Sequence, residues 1–311
     1  MEAPYIPEKY DEKLDKINWI SGLPFILLHI ACLLIFWAGF SWTAFTALII
    51  SYAVRMFGIT AGFHRYFSHR TFKTSRIFQF LLAFLGTSSA QKGPLWWAAH
   101  HRHHHKHSDT EKDVHSPVKR SLWWSHVGWI LSDRFKDTNF RMVKDLQKYP
   151  ELKFLNNFHL LPPLILAIAT YGTGVLLNYY LPELETSGFQ LLVYGFIIST
   201  VLLYHGTFTV NSLAHVIGKR RFETNDDSRN NWFISFITLG EGWHNNHHRF
   251  PSSERQGFYW WEFDFSHYML KILSWFRLVW DLRVPPKRVY AKAKFFKRPP
   301  DVIRNPRNRF K

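Results

Sequence analysis

The chain of 311 residues has a single cysteine, Cys32. One thiol forms no intrachain disulfide, no four-cysteine zinc site and no cysteine-held iron–sulfur cluster, so these stabilisers and cofactors are excluded. Charge is missing from long stretches. Trp19–Val54 runs 36 residues without Asp, Glu, Lys or Arg, and Phe154–Gly218 runs 65 residues without Lys or Arg, holding only Glu183 and Glu185. Acidic residues are scarce throughout, 23 against 39 Lys plus Arg, which leaves a formal charge of +16. What is abundant is aromatic surface: 14 Trp, 29 Phe and 13 Tyr exclude a disordered chain.

A bilayer-crossing helix needs about 20 apolar residues, so each charge-poor stretch suits two spans joined by a tight turn. The first pair is expected at about 20–38 and 42–60 around Gly39-Phe40-Ser41, and the second at about 160–177 and 190–210, with Pro182, Glu183, Glu185 and Gly188 between them. All 39 basic residues lie in 1–18, 55–153 and 219–311, which places those segments on the cytoplasmic side. Two hairpins return the chain to that side, in agreement with the charge distribution. Orientation and anionic headgroups account for the excess charge, and no nucleic-acid partner is expected. The mean hydropathy of −0.18 averages four spans with a large basic remainder. Glu8, Asp11, Glu12 and Asp15 are unlike the basic start of a secretory signal, so none is expected.

Ile77–Ala90 is apolar but too short to span, and reads as a segment buried in the protein or dipping into the interface. Gly257–Leu282 mixes Phe258, Tyr259, Trp260, Trp261, Tyr268, Trp275, Phe276 and Trp280 with Glu262, Asp264, Lys271 and Arg277, the pattern of an amphipathic helix on the membrane surface. The tail Pro285–Lys311 is basic and contains prolines, and is expected to be ordered only through contact with the rest. There is no internal repeat.

Histidine carries the chemistry. Eleven of 18 histidines lie in three tracts: His64 and His69; His100, His101, His103, His104, His105 and His107; His244, His247 and His248. On an α-helix the spacing i, i+3, i+4 of His101, His104 and His105, and again of His244, His247 and His248, presents three imidazoles from one face to a shared centre. His64 and His69, five apart, reach one site only if the helix unwinds near Gly62 or if they serve two metals. Asn211 and His215 stand one turn apart where the last span meets the cytoplasm. Single histidines near span ends, His29, His159, His205 and His267, read as hydrogen-bonded interfacial residues. The tract 100–107 by itself fits a metal-buffering loop of a metal transporter as well as a catalytic site. Its H-x-x-H-H spacing recurs 143 residues further on and on the same side of the membrane, which a buffering loop does not require. Transporters also place ligands near mid-bilayer, whereas these tracts flank the spans. Imidazole suits Zn, Cu, Fe and Ni, and about nine imidazoles exceed the needs of one tetrahedral zinc, so two metals are expected.

The order His64-x4-His69, His101-x-x-His104-His105, His244-x-x-His247-His248 resembles the membrane-bound fatty acyl desaturases. The contexts Gly62-Phe63-His64-Arg65, Ser125-His126-Val127-Gly128-Trp129, Asn211-Ser212-Leu213-Ala214-His215 and Gly240-Glu241-Gly242-Trp243-His244 resemble its Δ9 branch, the stearoyl-CoA desaturases, over residues from about 20 to 282. The resemblance implies an all-α integral membrane protein: four transmembrane helices in two hairpins, one domain over 1–311, and a cytoplasmic helical cap of 61–153 and 211–311 carrying a diiron site. It implies that His64, His69, His101, His104, His105, His215, His244, His247 and His248 bind two irons, with Asn211 holding one through water. His115 and His126 would orient the site, and His100, His103 and His107 would not be ligands. Gln91, Trp97 and Thr207 match positions that shape the bend of the acyl tunnel.

The implied reaction is O2-dependent removal of two hydrogens from adjacent methylenes, giving a cis double bond and water. Since the chain shows no flavin or nicotinamide fingerprint and no cysteine cluster, its electrons are expected from a separate ferredoxin-like or cytochrome b5-like donor. The chain departs from animal acyl-CoA desaturases, which carry Asn-Asp and Arg-Asp pairs before the second box. Here Lys92-Gly93 and Ala99-His100 stand there, and Lys92 is the residue left to meet a CoA phosphate. The expected substrate is acyl-CoA, with a phospholipid-linked acyl chain second and a membrane fatty acid hydroxylase as the nearest rival activity. A bacterial inner membrane is the expected location, with the endoplasmic reticulum as the alternative of equal topology.

Overall fold

The computed structural model describes residues 15–290 and Ala293. Glu8, Asp11, Glu12 and most of the basic tail lie outside the described residues. Asp15 is described and accepts hydrogen bonds from Arg120, at 2.7 Å, and from Arg134, fixing the start of the chain to the cap.

Four helices among the described residues are long and apolar enough to cross a membrane. The first two are α1, Trp19–Ala38, and α2, Trp42–Ser68. Asn18 caps α1 by accepting from Ser21 N, and Ser41 caps α2 by accepting from Ala44 N. Between them Gly39 takes φ 69°, a left-handed conformation that glycine adopts without a Cβ penalty. Ile20, Leu27, Ile30, Phe36 and Trp37 point outward, a surface suited to hydrocarbon and not to water. The cap begins with α3, Arg76–Thr87, α4, Pro94–His107, and α5, Pro150–Asn157. The second hairpin follows as α6, Leu161–Tyr180, and α7, Gly188–His215, with the left-handed Glu185 in the turn. The cap is completed by α8, Trp232–Ile237, α9, His244–Arg249, and α10, Phe265–Trp275. The one sheet among the described residues is the short antiparallel pair β1, Lys73–Thr74, with β2, Val279–Trp280.

Both α2 and α7 run past the ends expected from hydropathy, near 60 and 210, because protein takes over from lipid as their surroundings. From Gly58 to Arg65 every residue of α2 is buried. The main core joins α2 through Met56, Ile59, Phe63 and Phe67 to Leu82 and Ala83 of α3, Leu95 of α4, Leu152 and Leu155 of α5, and Leu203 of α7. Where α2 crosses α3 the backbones touch: a Cβ on Gly58 would lie 2.7 Å from Gly86 N. Arg55, in the span part of α2, is buried and donates to Ser199 Oγ at 2.5 Å and Thr200 Oγ1 at 2.6 Å of α7. A charge at that depth is tolerated because its donors are satisfied inside the bundle.

Ile77–Ala90 holds α3, which buries Gln79, Leu82, Ala83, Gly86 and Thr87 and leaves Ile77 and Leu81 outside. Gly257–Leu282 differs from the expected surface helix. Only Phe265–Trp275 is helical there, while Phe258, Glu262 and Asp264 turn inward and are buried. The cause is polar: Asp264 caps α10 and binds both Nη atoms of Arg65, and Glu262 accepts from Asn246 Nδ2 at 2.8 Å. Trp260, Trp261, Trp275 and Phe276 stay exposed.

Candidate metal centre

The residues Gly58–Ser68 of α2 form a π-helix, in which N–H groups bond five residues back. His69 N donates to His64 O at 3.3 Å, and the two rings lie 5.0 Å apart. The wider turn therefore brings together two histidines that an ideal α-helix would separate. Pro94, at the first position of α4, and Gly93 before it set the entry of the helix that carries the second tract.

The structure corrects the idea that each H-x-x-H-H tract serves one centre. His64, His69, His101, His105 and His247 form one group, and His104, His215, His244 and His248 a second, with the ligand atoms of each within 4.8 Å of one another. The i, i+4 pair stays together and the i+3 residue leaves, since consecutive residues diverge by about 100° on a helix. Thus His101 and His105 turn from α4 to one group and His104 to the other, while α9 sends His244 and His248 one way and His247 the other.

Within the first group His69 Nε2 is 2.8 Å from His101 Nε2, His64 Nε2 is 3.0 Å from His247 Nε2, and His247 Nε2 is 2.9 Å from His105 Nε2. In the second His215 Nε2 is 3.0 Å from His244 Nε2. Ligand nitrogens at right angles around an ion about 2.0–2.1 Å away stand about 2.9 Å apart, so these spacings fit a shared ion. His104 Nε2 and His248 Nε2 are buried without a protein partner, which fits the same role. Burial holds His69, His101, His105, His244 and His247 well below the usual histidine value, keeping lone pairs available. His248 is pushed down to about 4 by burial, while Asp113 raises His104 against its burial. Burial would raise Asp109, but the hydrogen bond from His215 holds it at about 2.

An apolar cavity ends at these groups, lined by Met56, Ile59, Thr60, Trp97, Thr207, Val210, Asn211 and Thr238 together with His64, His101, His104, His115, Glu241 and His244. Trp97 stacks on His101, ring centres 5.1 Å apart. Gln91 Nε2 donates to Thr207 Oγ1 at 3.0 Å, which ties the start of the cap to α7 behind the cavity wall. Lys92 takes φ 67° and is partly buried; that burial and the nearby Lys136 lower its pKa, and it does not line the cavity. His100 is buried on Trp96 O, His103 bonds Lys112 O, and neither joins a group. His126 does not touch a group directly; Nδ1 meets Ser212 Oγ at 2.9 Å. His29 and His205 are hydrogen-bonded as expected, and to each other: His29 Nε2 lies 3.1 Å from His205 Nε2, and His205 Nδ1 lies 3.0 Å from His126 Nε2.

The sequence reading missed the carboxylates. Asp113 meets His104 Nδ1 at 2.8 Å, Asp109 meets His215 Nδ1 at 2.9 Å, Asp226 meets His248 Nδ1 at 2.7 Å, and Glu241 meets His64 Nδ1. Asp109 and Asp113 follow the second tract closely enough to have drawn notice. Asp226 sits in an unremarkable polar loop, and no local signal marks it.

Fold and site together define a membrane-embedded helical protein with paired all-imidazole ligand groups at the end of an apolar cavity. The chain belongs to the fatty acid desaturase family, whose profile matches residues 40–281, and it is a fatty acyl desaturase. It is 36% identical over 277 residues to the sn-1 stearoyl-lipid 9-desaturase of Anabaena variabilis, covering 88% of this chain and 96% of that one. It is 35% identical over 297 residues to the acyl-CoA C20 Delta5-desaturase of Anemone leveillei, covering 91% and 90%. It is 34% identical over 282 residues to the Delta-9 acyl-lipid desaturase 1 of Arabidopsis thaliana, covering 89% and 87%.

Proposed function

We propose that the chain places a cis double bond at carbon 9 of a saturated acyl chain esterified in a membrane lipid, using two irons. The observation that carries this is the meeting of both histidine groups with one apolar cavity. His64, His69, His101, His105 and His247 would hold one iron, and His104, His215, His244 and His248 the other, with Asn211 beside the second through water. Bound iron supplies the oxygen-dependent redox chemistry that takes two hydrogens from adjacent methylenes, with electrons from a ferredoxin-like or cytochrome b5-like donor. The protein's own part is positional. Met56, Ile59 and Val210 grip methylenes and exclude water, and Trp97 and the Gln91–Thr207 contact fix where the chain bends past the histidines. The active end faces the cytoplasm, a reading supported by the absence of basic residues from both outer turns.

The lipid-linked substrate is favoured because relatives named for position 9 are also named for lipid-linked chains. Acyl-CoA is the second reading, supported by the acyl-CoA name of the Anemone relative. Product analysis separates them: with O2, reductant and both substrates offered in parallel, the cis-9 monoene should form on the lipid. In the acyl-CoA case, Lys92→Ala should weaken use of the CoA ester. His104→Ala or His247→Ala should lower iron from about two per chain and abolish turnover while membrane insertion persists. A hydroxylated product would move the activity to the hydroxylases. Stoichiometric zinc with full activity would sink the iron assignment.

A further inference from the structure

An imidazole that turns one nitrogen toward an ion must satisfy the other, and here the two groups differ. In the four-histidine group three of four rings are backed by a carboxylate through Nδ1: His104 by Asp113, His215 by Asp109, His248 by Asp226. The fourth, His244, has a buried Nδ1 with no partner. In the five-histidine group only His64 contacts a carboxylate, Glu241, and Glu241 is shared with Arg65, at 3.1 Å, and with Gln256, at 2.8 Å. His247 Nδ1 is buried with no partner.

The three aspartates are held in place by neutral donors. Asp113 accepts from Asp109 N at 2.7 Å, Asp109 accepts from Ser116 Oγ at 2.6 Å and Asp227 N at 2.8 Å, and Asp226 accepts from Ser228 N at 3.0 Å. Each carboxylate thus has a preset orientation and spends its charge on one imidazole. A carboxylate on the far nitrogen fixes the tautomer, aims the near nitrogen and makes it a stronger donor. Asp109 further ties the second tract to His215, because it meets His215 directly and Asp113, the partner of His104, through its own backbone N–H.

We propose that the two metal positions are built unequal: Asp109, Asp113 and Asp226 act as positioning residues that make the four-histidine position hold iron more tightly than the five-histidine position. This rests on the reading that the nine histidines carry two irons. Ligand count alone gives the opposite order, so the order of release discriminates.

The experiment loads the purified full chain with 57Fe, challenges it with a ferrous chelator, and follows iron per chain and the Mössbauer spectrum. The native protein should release iron in two steps, the five-histidine ion first. His105→Ala and His244→Ala, each crippling one position, assign the two signals. Asp113→Asn and Asp226→Asn keep shape and remove charge; each should weaken the four-histidine position by roughly 10–100-fold and bring its release forward to the first step. Glu241→Gln should leave the order unchanged. Release in one step, or a five-histidine ion that persists longest in the native protein, overturns the proposal, and that comparison needs no variant to fold. A protein that takes up no iron removes the two-iron reading and the proposal with it, a result distinct from release in the wrong order.

Discussion

Neutral imidazole is the form this site selects before any ion arrives. Burial holds His69, His101, His105, His244 and His247 well below the ordinary histidine value of 6.5, so between that value and their folded values the unfolded chain binds more protons. In that window stability rises with pH and falls as acid is added. The metal-free protein should therefore lose thermal stability between about pH 7 and about pH 5, a drop in Tm readable by scanning fluorimetry. A flat Tm over that range would contradict the burial of neutral rings. At this scale the sequence was informative about which histidines gather and silent about how they divide. His104 and His105 are neighbours in the chain yet belong to different groups, because adjacent residues point about 100° apart on α4 and the partner rings on α9 repeat the same divergence.

At the scale of elements, hydropathy located the four apolar helices and the turn at Gly39, since lipid-facing residues obey a single length rule. It could not foresee the π-helix of Gly58–Ser68, which depends on packing against α3 and α4. Nor could it foresee that Phe258, Glu262 and Asp264 turn inward, since the partner of Asp264 is Arg65, 199 residues away. The Gly58–Gly86 crossing is the contact on which the π segment rests. Gly58→Ala should push α3 away, at a cost of about 1–3 kcal/mol for overpacking, and misplace His64 and His69. The expected result is reduced iron content with normal membrane insertion; unchanged iron would show that the helices have slack at this crossing.

For the whole molecule, both outer turns should lie on one side of the membrane and the histidine groups on the other. Reporter fusions at Phe40 and Glu185 test this, and a cytoplasmic signal from either breaks the two-hairpin topology. Helices α2 and α7 pass from lipid into the cap. The same rods that sit in the bilayer carry His64 at the end of α2 and His215 at the end of α7, one for each group. A bilayer thicker or thinner than the apolar length of a helix is accommodated by tilt. Any such tilt is carried mechanically to the separation of the two groups. Reconstituted in bilayers of increasing acyl length, the protein should show a turnover optimum at one thickness, with a shift in the distance between spin labels placed near the two groups. A single optimum would make bilayer thickness a quantity that the protein reads; turnover independent of acyl length would show that the two groups are insulated from tilt.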